Sequence, residues 1–326
     1  MELNPRRPVS PNRDVPSLVH AMSMTGFQGR KLGESFKIWS TMIQDPDCTI
    51  ILGLSGAMVP AGMQECLIKL VTHRYVDAIV STGANIFHDI AEHLSINHYL
   101  GHHCVDDATL YEKGIDRIYD VFAYEDEFRS VDQKVAAFAE SLAPYHASSA
   151  DFTHRLARYL VATAPDGRSL TATAAQAGVP IYIPALCDSS LGIALTVARR
   201  RGAEVAIDQI ADADELTRIV EDAKKTGVVY IGGGVPKNFI QQTQVIASMH
   251  GHDLGGHAYA VQYTTDAPHW GGLSGCTFEE AISWGKESTK TRSVQCFCDA
   301  TIALPIVTSA LLGSGLTRAR PVLDRP

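Results

Sequence analysis

The 326-residue sequence lacks several features that would each assign it to a class of protein. No apolar run reaches the roughly eighteen residues that a membrane helix needs, and no signal-peptide pattern opens the chain. Its seven cysteines are odd in number and follow no framework spacing, which argues against a disulfide scaffold. Basic residues number 28 against 36 acidic ones, so a nucleic-acid partner is not expected. We therefore expect a cytoplasmic protein with reduced thiols and with no membrane or nucleic-acid partner.

Familiar catalytic motifs are also missing. The Gly232-Gly233-Gly234 run follows an apolar stretch, but its spacing fits neither a Walker loop nor the Rossmann fingerprint. From these residues alone, a tight turn is as good an interpretation as a phosphate site. No serine lies in a Gly-x-Ser-x-Gly elbow, and the nearest approach is Leu54-Ser55-Gly56, which disfavours a serine hydrolase.

Two groups of histidines invite a zinc interpretation. They are His250, His252 and His257 in one case, and His102, His103 and Cys104 in the other. Neither group has a matching second ligand pair elsewhere in the chain, and zinc sites need three or four ligands in fixed geometry. Cys296 and Cys298 lie two residues apart on a predicted strand, where buried thiols are the better interpretation. We therefore predict no metal site.

The sequence does contain a repeated alternation of apolar stretches and amphipathic segments. Cys48–Leu54 and Val76–Ser81 are predicted buried strands, each followed by a polar loop of small residues and then a helix. Further strands are predicted at Val179–Ala185, Glu204–Ile207, Val228–Ile231, Tyr259–Tyr263 and Gln295–Cys298. The alternation predicts an α/β fold, a Rossmann-like parallel sheet with helices on both faces. Residues 17–326 are predicted to form one domain, after a flexible N-terminal arm at residues 1–16.

Ligands of such sheets bind at the carboxyl ends of the strands, so the loops Ser55–Ala57 and Thr82–Asn85 are candidate site segments. Asp188 and Asp299 each stand where a predicted strand gives way to a helix. An aspartate at that place either caps the helix or hydrogen-bonds a ribose hydroxyl. The residues alone leave both interpretations open.

The segment Glu279–Glu287 contains a candidate nucleophile. Lys286 follows Trp284 and Gly285, and Glu280 lies six residues upstream. A lysine is a good nucleophile only when it is neutral, and an apolar neighbour such as an indole disfavours the ammonium form. Taken alone, these nine residues fit an ordinary exposed lysine at a helix end better than a reactive one.

Motifs spread along the chain change that assessment. The most specific are Pro184-Ala185-Leu186-Cys187-Asp188 and Ser283-Trp284-Gly285-Lys286. The others are Thr25-Gly26-Phe27-Gln28, Ile51-Leu52-Gly53, Val76-Asp77 with Ser81-Thr82, Tyr99-Leu100-Gly101, Gly232-Gly233-Gly234-Val235-Pro236-Lys237 and Asp299-Ala300. In these segments, which run in order from about residue 17 to residue 312, the chain resembles the deoxyhypusine synthase family. That family includes homospermidine synthases and bacterial deoxyhypusine synthase-like proteins.

The resemblance implies a role for Lys286. In the family, bound NAD takes a hydride from the carbon beside an amine, and a lysine holds the fragment as a Schiff base until an acceptor amine receives it. Lys286 is the implied nucleophile, Trp284 a wall of the amine pocket and Glu280 an anchor for a cationic nitrogen. The expected NAD contacts, with Ser55 added from the first strand-end loop, are Ser55, Thr82, Asp188, Gly233, Thr265, Asp266, Asp299 and Ala300.

The expected pocket departs from the family pattern. Ile193 and Leu273 stand where the family's polyamine tunnel carries acids, and His88 replaces a glutamate near the nicotinamide. Because a buried ammonium needs a carboxylate partner, extended spermidine is a poor candidate substrate. His88 is either a general base or a polar wall residue. Gly56, Ala57, Asn238 and Gln242 also differ from the family pattern, and His269 and Trp270 lie in the stretch that differs most. Asn238, Gln242, His269 and Trp270 are expected to bind substrate.

We therefore expect an NAD-dependent transferase that passes an aminoalkyl fragment through an imine on Lys286, between small amines such as putrescine or agmatine. One alternative is a true deoxyhypusine synthase that modifies a translation-factor lysine with spermidine. Another is a non-catalytic, NAD-binding regulatory protein. The resemblance also implies a homo-oligomer, a tetramer whose sites lie at a dimer interface.

Overall fold

The computed structural model describes residues 5–11 and 13–319. Residues 1–4 and 12 of the predicted N-terminal arm lie outside the described residues, as do residues 320–326. The chain forms two compact units. The first contains the described residues of 1–55, residues 69–80 and the chain from 213 onward, and the second contains residues 56–68 and 81–212.

The structure begins with helix α1 at Val15 and alternates helices with strands. The helices are α1 Val15–Met22, α2 Phe27–Gln44, α3 Gln64–Thr72, α4 Gly83–His93, α5 Asp107–Glu112, α6 Glu125–Leu142, α7 Ser149–Thr163, α8 Leu170–Ala177, α9 Ser190–Arg200, α10 Gln209–Asp222, α11 Gly234–Met249, α12 Phe278–Ser283 and α13 Ala300–Gly313. The strands are β1 Cys48–Leu54, β2 Ala78–Ser81, β3 Tyr99–Leu100, β4 Ile115–Ile118, β5 Val121–Tyr124, β6 Tyr145–Ala147, β7 Ile181–Tyr182, β8 Val205–Ile207, β9 Lys225–Ile231, β10 His257–Thr264 and β11 Glu287–Phe297. Short helical turns lie at Val59–Met63, Pro268–Trp270 and Leu273–Gly275.

A parallel sheet organises the first unit. Its strands lie in the order β11-β10-β9-β1-β2, and β1 pairs with β9, β9 with β10, and β10 with β11, all in parallel. Strand β1 lies between β9 and β2 and is buried along its whole length, in keeping with a sequence that is apolar apart from Thr49. Helix α2 packs against β10 and β11, and its Trp39 and Met42 are fully buried. The predicted α/β fold class is confirmed.

Strand β11 differs most from its prediction. It begins at Glu287 rather than Gln295, and it ends at Phe297, one residue before Cys298. It is the outer strand of the sheet in this unit, and most of its first half is exposed or half-exposed. An edge strand pairs through its backbone whatever its side chains, so this polar stretch carries no apolar signal. Cys298 therefore lies just outside the strand. Of the two thiols that were predicted to be buried, Cys296 is buried and Cys298 is half-buried.

The second unit is mainly helical. Helix α6 packs against α9, α7 against α8, and α4 contacts both α8 and α9. Small sheets supplement the helices: β3, β5 and β4 pair antiparallel, and β6 pairs with β8 in parallel. Strand β7 is shorter than the predicted Val179–Ala185. Among residues 5–11 and 13–319, no helix is long and apolar enough to cross a membrane.

Candidate active site

Several predicted site residues of the first unit lie along one edge of its sheet. Because β1, β9, β10 and β11 are parallel, their carboxyl ends share that edge. The positions that follow these strands are Ser55, Gly232–Gly234, Thr265 with Asp266, and Asp299 with Ala300. The fold thus brings six predicted cofactor residues of this unit to the edge where parallel sheets bind ligands: Ser55, Gly233, Thr265, Asp266, Asp299 and Ala300.

The chain's own side chains pack the triple-glycine turn. The Ser55 hydroxyl donates to the Gly233 carbonyl, and the Gly234 amide donates to Ser274 Oγ at 3.0 Å. A Cβ at Gly233 would lie 2.6 Å from Ser274 Cα, so the close approach of Ser274 requires glycine there. These contacts support the tight-turn interpretation, because the Gly234 amide already has a partner.

The two strand-exit aspartates differ in their contacts. Asp299 is the N-cap of α13, and its Oδ1 accepts from the Thr301 amide at 2.7 Å and from the Thr301 hydroxyl at 2.6 Å. Asp188 is exposed, and the N-cap position of α9 is Ser189. The helix-cap interpretation therefore holds for Asp299 and is wrong for Asp188.

Thr82, the other predicted cofactor residue of the second unit, is the N-cap of α4. Its hydroxyl donates to the Gly56 carbonyl at 2.8 Å and accepts from the Asn85 amide at 3.4 Å. These contacts tie the start of α4 to the loop that follows Ser55 in sequence. Thr82 is half-buried in this position.

Lys286 projects from a helix-terminating turn. Gly285 has a φ of 68°, its amide donates to the Ile282 carbonyl at 3.0 Å, and the Lys286 amide donates to the Ala281 carbonyl at 3.1 Å. This is the Schellman arrangement, whose left-handed position favours glycine. The sequence Trp-Gly-Lys therefore ends α12 and places the lysine immediately after the turn.

The Lys286 side chain has two identified neighbours. Its Nζ donates to Asn238 Oδ1 at 2.9 Å, and it lies 5.4 Å from the centroid of the Trp284 ring. At that distance a ring face attracts a cation. Trp284 is itself 66% exposed, so it forms an open wall rather than a closed pocket in the single chain. Among the predicted residues, the structure brings Lys286, Asn238 and Trp284 into contact range.

The remaining predicted substrate residues of this unit are exposed. Gln242 lies one helical turn after Asn238 on α11, and Glu280 lies in the first turn of α12. His269 and Trp270 form part of a short 3-10 helix, with ring centroids 4.5 Å apart. No contact joins this aromatic pair to Lys286 among the hydrogen bonds and ring contacts of the described chain.

Sequence analysis assigned no role to two buried ionisable residues beside this group. Lys237 precedes Asn238, is 1% exposed, and donates to Gln262 Oε1 at 2.9 Å and to the Cys276 carbonyl at 2.5 Å. Burial lowers the pKa of Lys237 to about 8. Glu287 follows Lys286 and is 3% exposed, and burial raises its pKa to about 8. Local sequence offers only their adjacency to predicted site residues as a signal, because lysine and glutamate are usually exposed.

His88 belongs to a polar chain within the second unit. Its Nδ1 lies 2.9 Å from His98 Nε2, and His98 Nδ1 lies 2.9 Å from Glu92 Oε1. Burial, followed by the neighbouring His98, lowers the pKa of His88 to about 4. Sequence analysis named His88 but missed both partners. The spacing of His88 and Glu92, four residues apart on α4, was the available signal.

The two histidine groups that were considered for zinc differ in how close their ligand atoms lie. His252 pairs with Glu221 at 3.2 Å, and the His257 Nδ1 lies 2.7 Å from the Thr226 hydroxyl in the core, so these two do not share a site. Ligand atoms of His102, His103 and Cys104 do lie within 4.8 Å of one another, on an exposed loop. His102 Nδ1 there accepts from the Cys104 amide at 3.0 Å. The predicted lack of a metal stays a prediction.

Comparison with known proteins agrees with these motifs. The deoxyhypusine synthase family profile matches residues 17–311. "Probable deoxyhypusine synthase 2" of Methanosarcina mazei is 55% identical over 96% of this chain and 91% of its own. A protein with the same name from Archaeoglobus fulgidus is 53% identical over 90% of this chain and 96% of its own. A "Deoxyhypusine synthase-like protein" of Chlorobaculum parvum is 40% identical over 90% and 85%, respectively.

Solved structures agree in fold. The crystal structure of a deoxyhypusine synthase candidate from Entamoeba histolytica has a TM-score of 0.64 at 19% identity, over 94% of this chain and 96% of its own. The family is generally NAD-dependent. From the family profile and the length and identity of these matches, the chain is a member of the deoxyhypusine synthase family, an enzyme that transfers alkyl groups other than methyl.

Proposed function

We propose that the protein is an NAD-dependent aminoalkyl transferase that uses Lys286 as its covalent centre and small amines such as putrescine or agmatine as donor and acceptor. The observation that carries the proposal is the presentation of Lys286. Its Nζ lies at the end of the Schellman turn, beside the Trp284 ring and within hydrogen-bond distance of Asn238 Oδ1. We also expect the homotetrameric assembly that the family implies.

The residues at the strand ends fit NAD through its ribose hydroxyls rather than through the glycine turn. Asp188 and Asp299 are exposed carboxylates at strand exits, and both contacts of the Asp299 cap use Oδ1, which leaves Oδ2 to accept from a hydroxyl. The Gly234 amide, by contrast, already donates to Ser274. We propose that Asp266 and Asp299 of the first unit hold the cofactor, together with Thr265. Asp188 and Thr82 of the second unit stay predicted cofactor contacts. When bound, NAD accepts a hydride from the donor's amine-bearing carbon and later returns it.

The chain's own residues account for the transfer steps. When the Lys286 amine is deprotonated, it can keep an N–H on Asn238 Oδ1 while its lone pair attacks the carbon of the oxidised donor. A C–N bond to Lys286 forms as the donor's nitrogen leaves, giving an imine on the lysine. The acceptor amine then attacks the same carbon and releases Lys286. The Trp284 ring face stabilises the cationic forms of this imine.

The proposed substrate class follows from the lack of carboxylates at two positions where the family has acids. Ile193 and Leu273, where the family's tunnel carries acids, are apolar and respectively 56% and 43% exposed in the single chain. An apolar side chain offers no partner to a second or third ammonium, so a long polyamine would lose these two carboxylate contacts, which a short amine does not need. This difference favours small amines over spermidine.

The names of the archaeal relatives favour a second candidate, deoxyhypusine synthesis on a protein lysine. Both candidates share the imine on Lys286 and differ in donor and acceptor. The distinction therefore requires separate donor and acceptor measurements with one preparation of protein.

The test is borohydride trapping. The protein is incubated with NAD and with putrescine, agmatine or spermidine, reduced, and weighed by mass spectrometry after digestion. We expect an adduct on Lys286 with a small amine, and its absence with every amine would contradict the proposal. Lys286→Arg should lose the adduct and at least roughly 1,000-fold in turnover while it still binds NAD. Lys290→Arg, at an exposed lysine of the same segment, is the matched control. Adduct formation with spermidine alone, followed by transfer to a protein lysine, would favour the second candidate.

A further inference from the structure

Phe27, the first residue of α2, combines an exposed aromatic ring with an unfavourable backbone conformation. The residue is 96% exposed, and its φ is 54°, in the left-handed region that bulky residues rarely adopt. Hydrogen bonds hold the turn around it, since the Thr25 carbonyl accepts from Arg30 Nε and the Thr25 hydroxyl donates to the Met22 carbonyl, both at 2.6 Å. Strain of this kind concentrates at positions that contact ligands.

The start of α2 lies at the carboxyl end of β11. Gln28 Oε1 accepts from the amide of Phe297, the last residue of that strand, at 2.8 Å. Asp299, whose Oδ2 is left to accept from a ribose hydroxyl, follows Phe297 by two residues. Phe27, next to Gln28 in the chain, therefore belongs to the edge of the sheet at which the strand-exit carboxylates lie.

Helices α2 and α11 pack on opposite faces of the sheet in the first unit. Gln262 and Tyr263 are consecutive in β10, so their side chains point to opposite faces. Gln262 Oε1 accepts from Lys237 Nζ on α11, and the Tyr263 hydroxyl donates to Ser35 Oγ on α2, at 2.9 Å in each case. Lys286, which hydrogen-bonds to a side chain of α11, therefore lies on one face, and the start of α2 lies on the other.

We propose that Phe27 binds the adenine ring of NAD by stacking. The inference rests on the proposed function, in which the nicotinamide must lie near Lys286 because it exchanges a hydride with the carbon held there. The two rings of NAD stand at opposite ends of the molecule, joined by two riboses and a pyrophosphate. With the nicotinamide end on the face of α11, the adenine end crosses the sheet edge to the face of α2. Phe27 supplies an aromatic platform there, and Asp299 supplies an acceptor for a ribose hydroxyl.

The chemistry of the Phe27 side chain fits a nucleobase. A phenyl ring has no hydrogen-bonding group, so it recognises the flat face of another ring rather than its polar edge. Stacking of this kind also removes the exposed ring of Phe27 from water. Because the turn is already held by Thr25 and Gln28, little freedom is lost when the ring takes up its partner.

The test compares three ligands that share parts of NAD. NAD carries both rings, ADP-ribose carries the adenine alone, and nicotinamide mononucleotide carries the nicotinamide alone. Phe27→Asn removes the aromatic ring and keeps a residue that tolerates a left-handed backbone, whereas Phe27→Tyr keeps a ring. Tyr119→Asn is the matched control, because Tyr119 is an exposed aromatic residue with a φ of 57° in the second unit. Titration calorimetry, thermal unfolding and sedimentation are measured for each variant.

We expect Phe27→Asn to weaken binding of NAD and of ADP-ribose by roughly tenfold and to leave the affinity for nicotinamide mononucleotide unchanged. Phe27→Tyr should retain the wild-type affinities, and Tyr119→Asn should alter none of them. Thermal stability of Phe27→Asn should equal or exceed that of the wild type, because asparagine adopts the left-handed conformation at lower cost.

Wild-type affinity for ADP-ribose in Phe27→Asn would overturn the role of Phe27, as would an equal loss of affinity for nicotinamide mononucleotide. Changed sedimentation of Phe27→Asn with unchanged affinities would overturn it as well, and would show that Phe27 packs against a second copy of the chain. In these cases NAD binding and the Lys286 adduct of the wild type would still support the proposed function. Absence of NAD binding by the wild-type protein would overturn the proposed cofactor, and the role of Phe27 with it.

Discussion

Two pairs of residues in the first unit are adjacent in sequence but differ in their exposure to solvent. Asn238 and Lys286, the accessible pair, hydrogen-bond each other at 2.9 Å where solvent can reach them. Lys237 and Glu287, the buried pair, are their immediate sequence neighbours and are 1% and 3% exposed. One residue of displacement along α11 or at the start of β11 therefore separates a side chain available for chemistry from one enclosed in the core.

The comparison shows that a lowered lysine pKa is not sufficient to identify a nucleophile. Burial lowers the pKa of Lys237, yet its Nζ already donates to Gln262 and to the Cys276 carbonyl, and the Phe278 ring centroid lies 5.3 Å away. A nucleophile also needs a path to its substrate. Lys286 has that access and holds a single side-chain acceptor.

The largest effect is expected at Glu287. Burial raises the pKa of Glu287 from 4.5 to about 8, and it outweighs the opposing effects of Gln241, Lys237 and Thr291. Between these pH values the folded state binds the proton that the unfolded state releases. The Glu287 contribution to stability is therefore fully present below about pH 4.5 and is lost as the pH rises through 8.

Glu287→Gln removes this titration. Its effect on the free energy of unfolding should therefore be more stabilising at pH 8 than at pH 5, by about 3 kcal/mol. Urea unfolding at both pH values measures the difference. Glu279→Gln, at an exposed glutamate on α12, is the control and should show no comparable pH dependence. An equal effect of Glu287→Gln at the two pH values would mean that Glu287 is ionised in the folded protein.

A smaller effect of the same kind is expected at Lys237. Its pKa falls from 10.5 to about 8, so between these values the unfolded state binds the proton that the folded state has released. Stability from this group is present above about pH 10.5 and is lost as the pH falls through 8. In the wild type, this group should raise the free energy of unfolding by about 2 kcal/mol between pH 8 and pH 10, and Lys237→Met should abolish that increase.

Urea unfolding at the two pH values measures that gain, and Lys290→Met controls for the loss of an exposed lysine. Gln295 Nε2 also donates to both acceptors of Lys237, at 2.7 Å to Gln262 Oε1 and at 3.1 Å to the Cys276 carbonyl. Neither acceptor is therefore left without a donor in Lys237→Met. A gain identical to that of the wild type would place the titrating group elsewhere.

The two pairs also mark what sequence could and could not predict. The apolar stretches at β1 and β9 predict buried parallel strands because burial on both faces requires apolar residues throughout. Gly285 before Lys286 predicts a helix end, since a left-handed terminal residue favours glycine. Both signals are local, and both survive in the structure.

The buried pair depends instead on contacts between distant segments. Lys237 is buried by Gln262 and the Cys276 carbonyl, 25 and 39 residues away, and no local pattern predicts such partners. The same holds for His98, which reaches α4 from a loop. Sequence analysis therefore identified the accessible pair through its motifs and missed the distant partners of the buried residues.

The smallest effect is expected within the accessible pair itself. Asn238→Ala removes the acceptor of Lys286 Nζ, so the amine loses its orientation but keeps its place after the Schellman turn. Since a single partly buried hydrogen bond is worth about 1 kcal/mol, the rate of adduct formation should fall by roughly fivefold to tenfold, with stability nearly unchanged. Asn238→Asp retains an acceptor and should recover most of the rate. Equal losses in Asn238→Ala and Asn238→Asp would show that Asn238 contacts the substrate rather than orienting Lys286, and would make the accessible pair a substrate site instead of a positioned nucleophile.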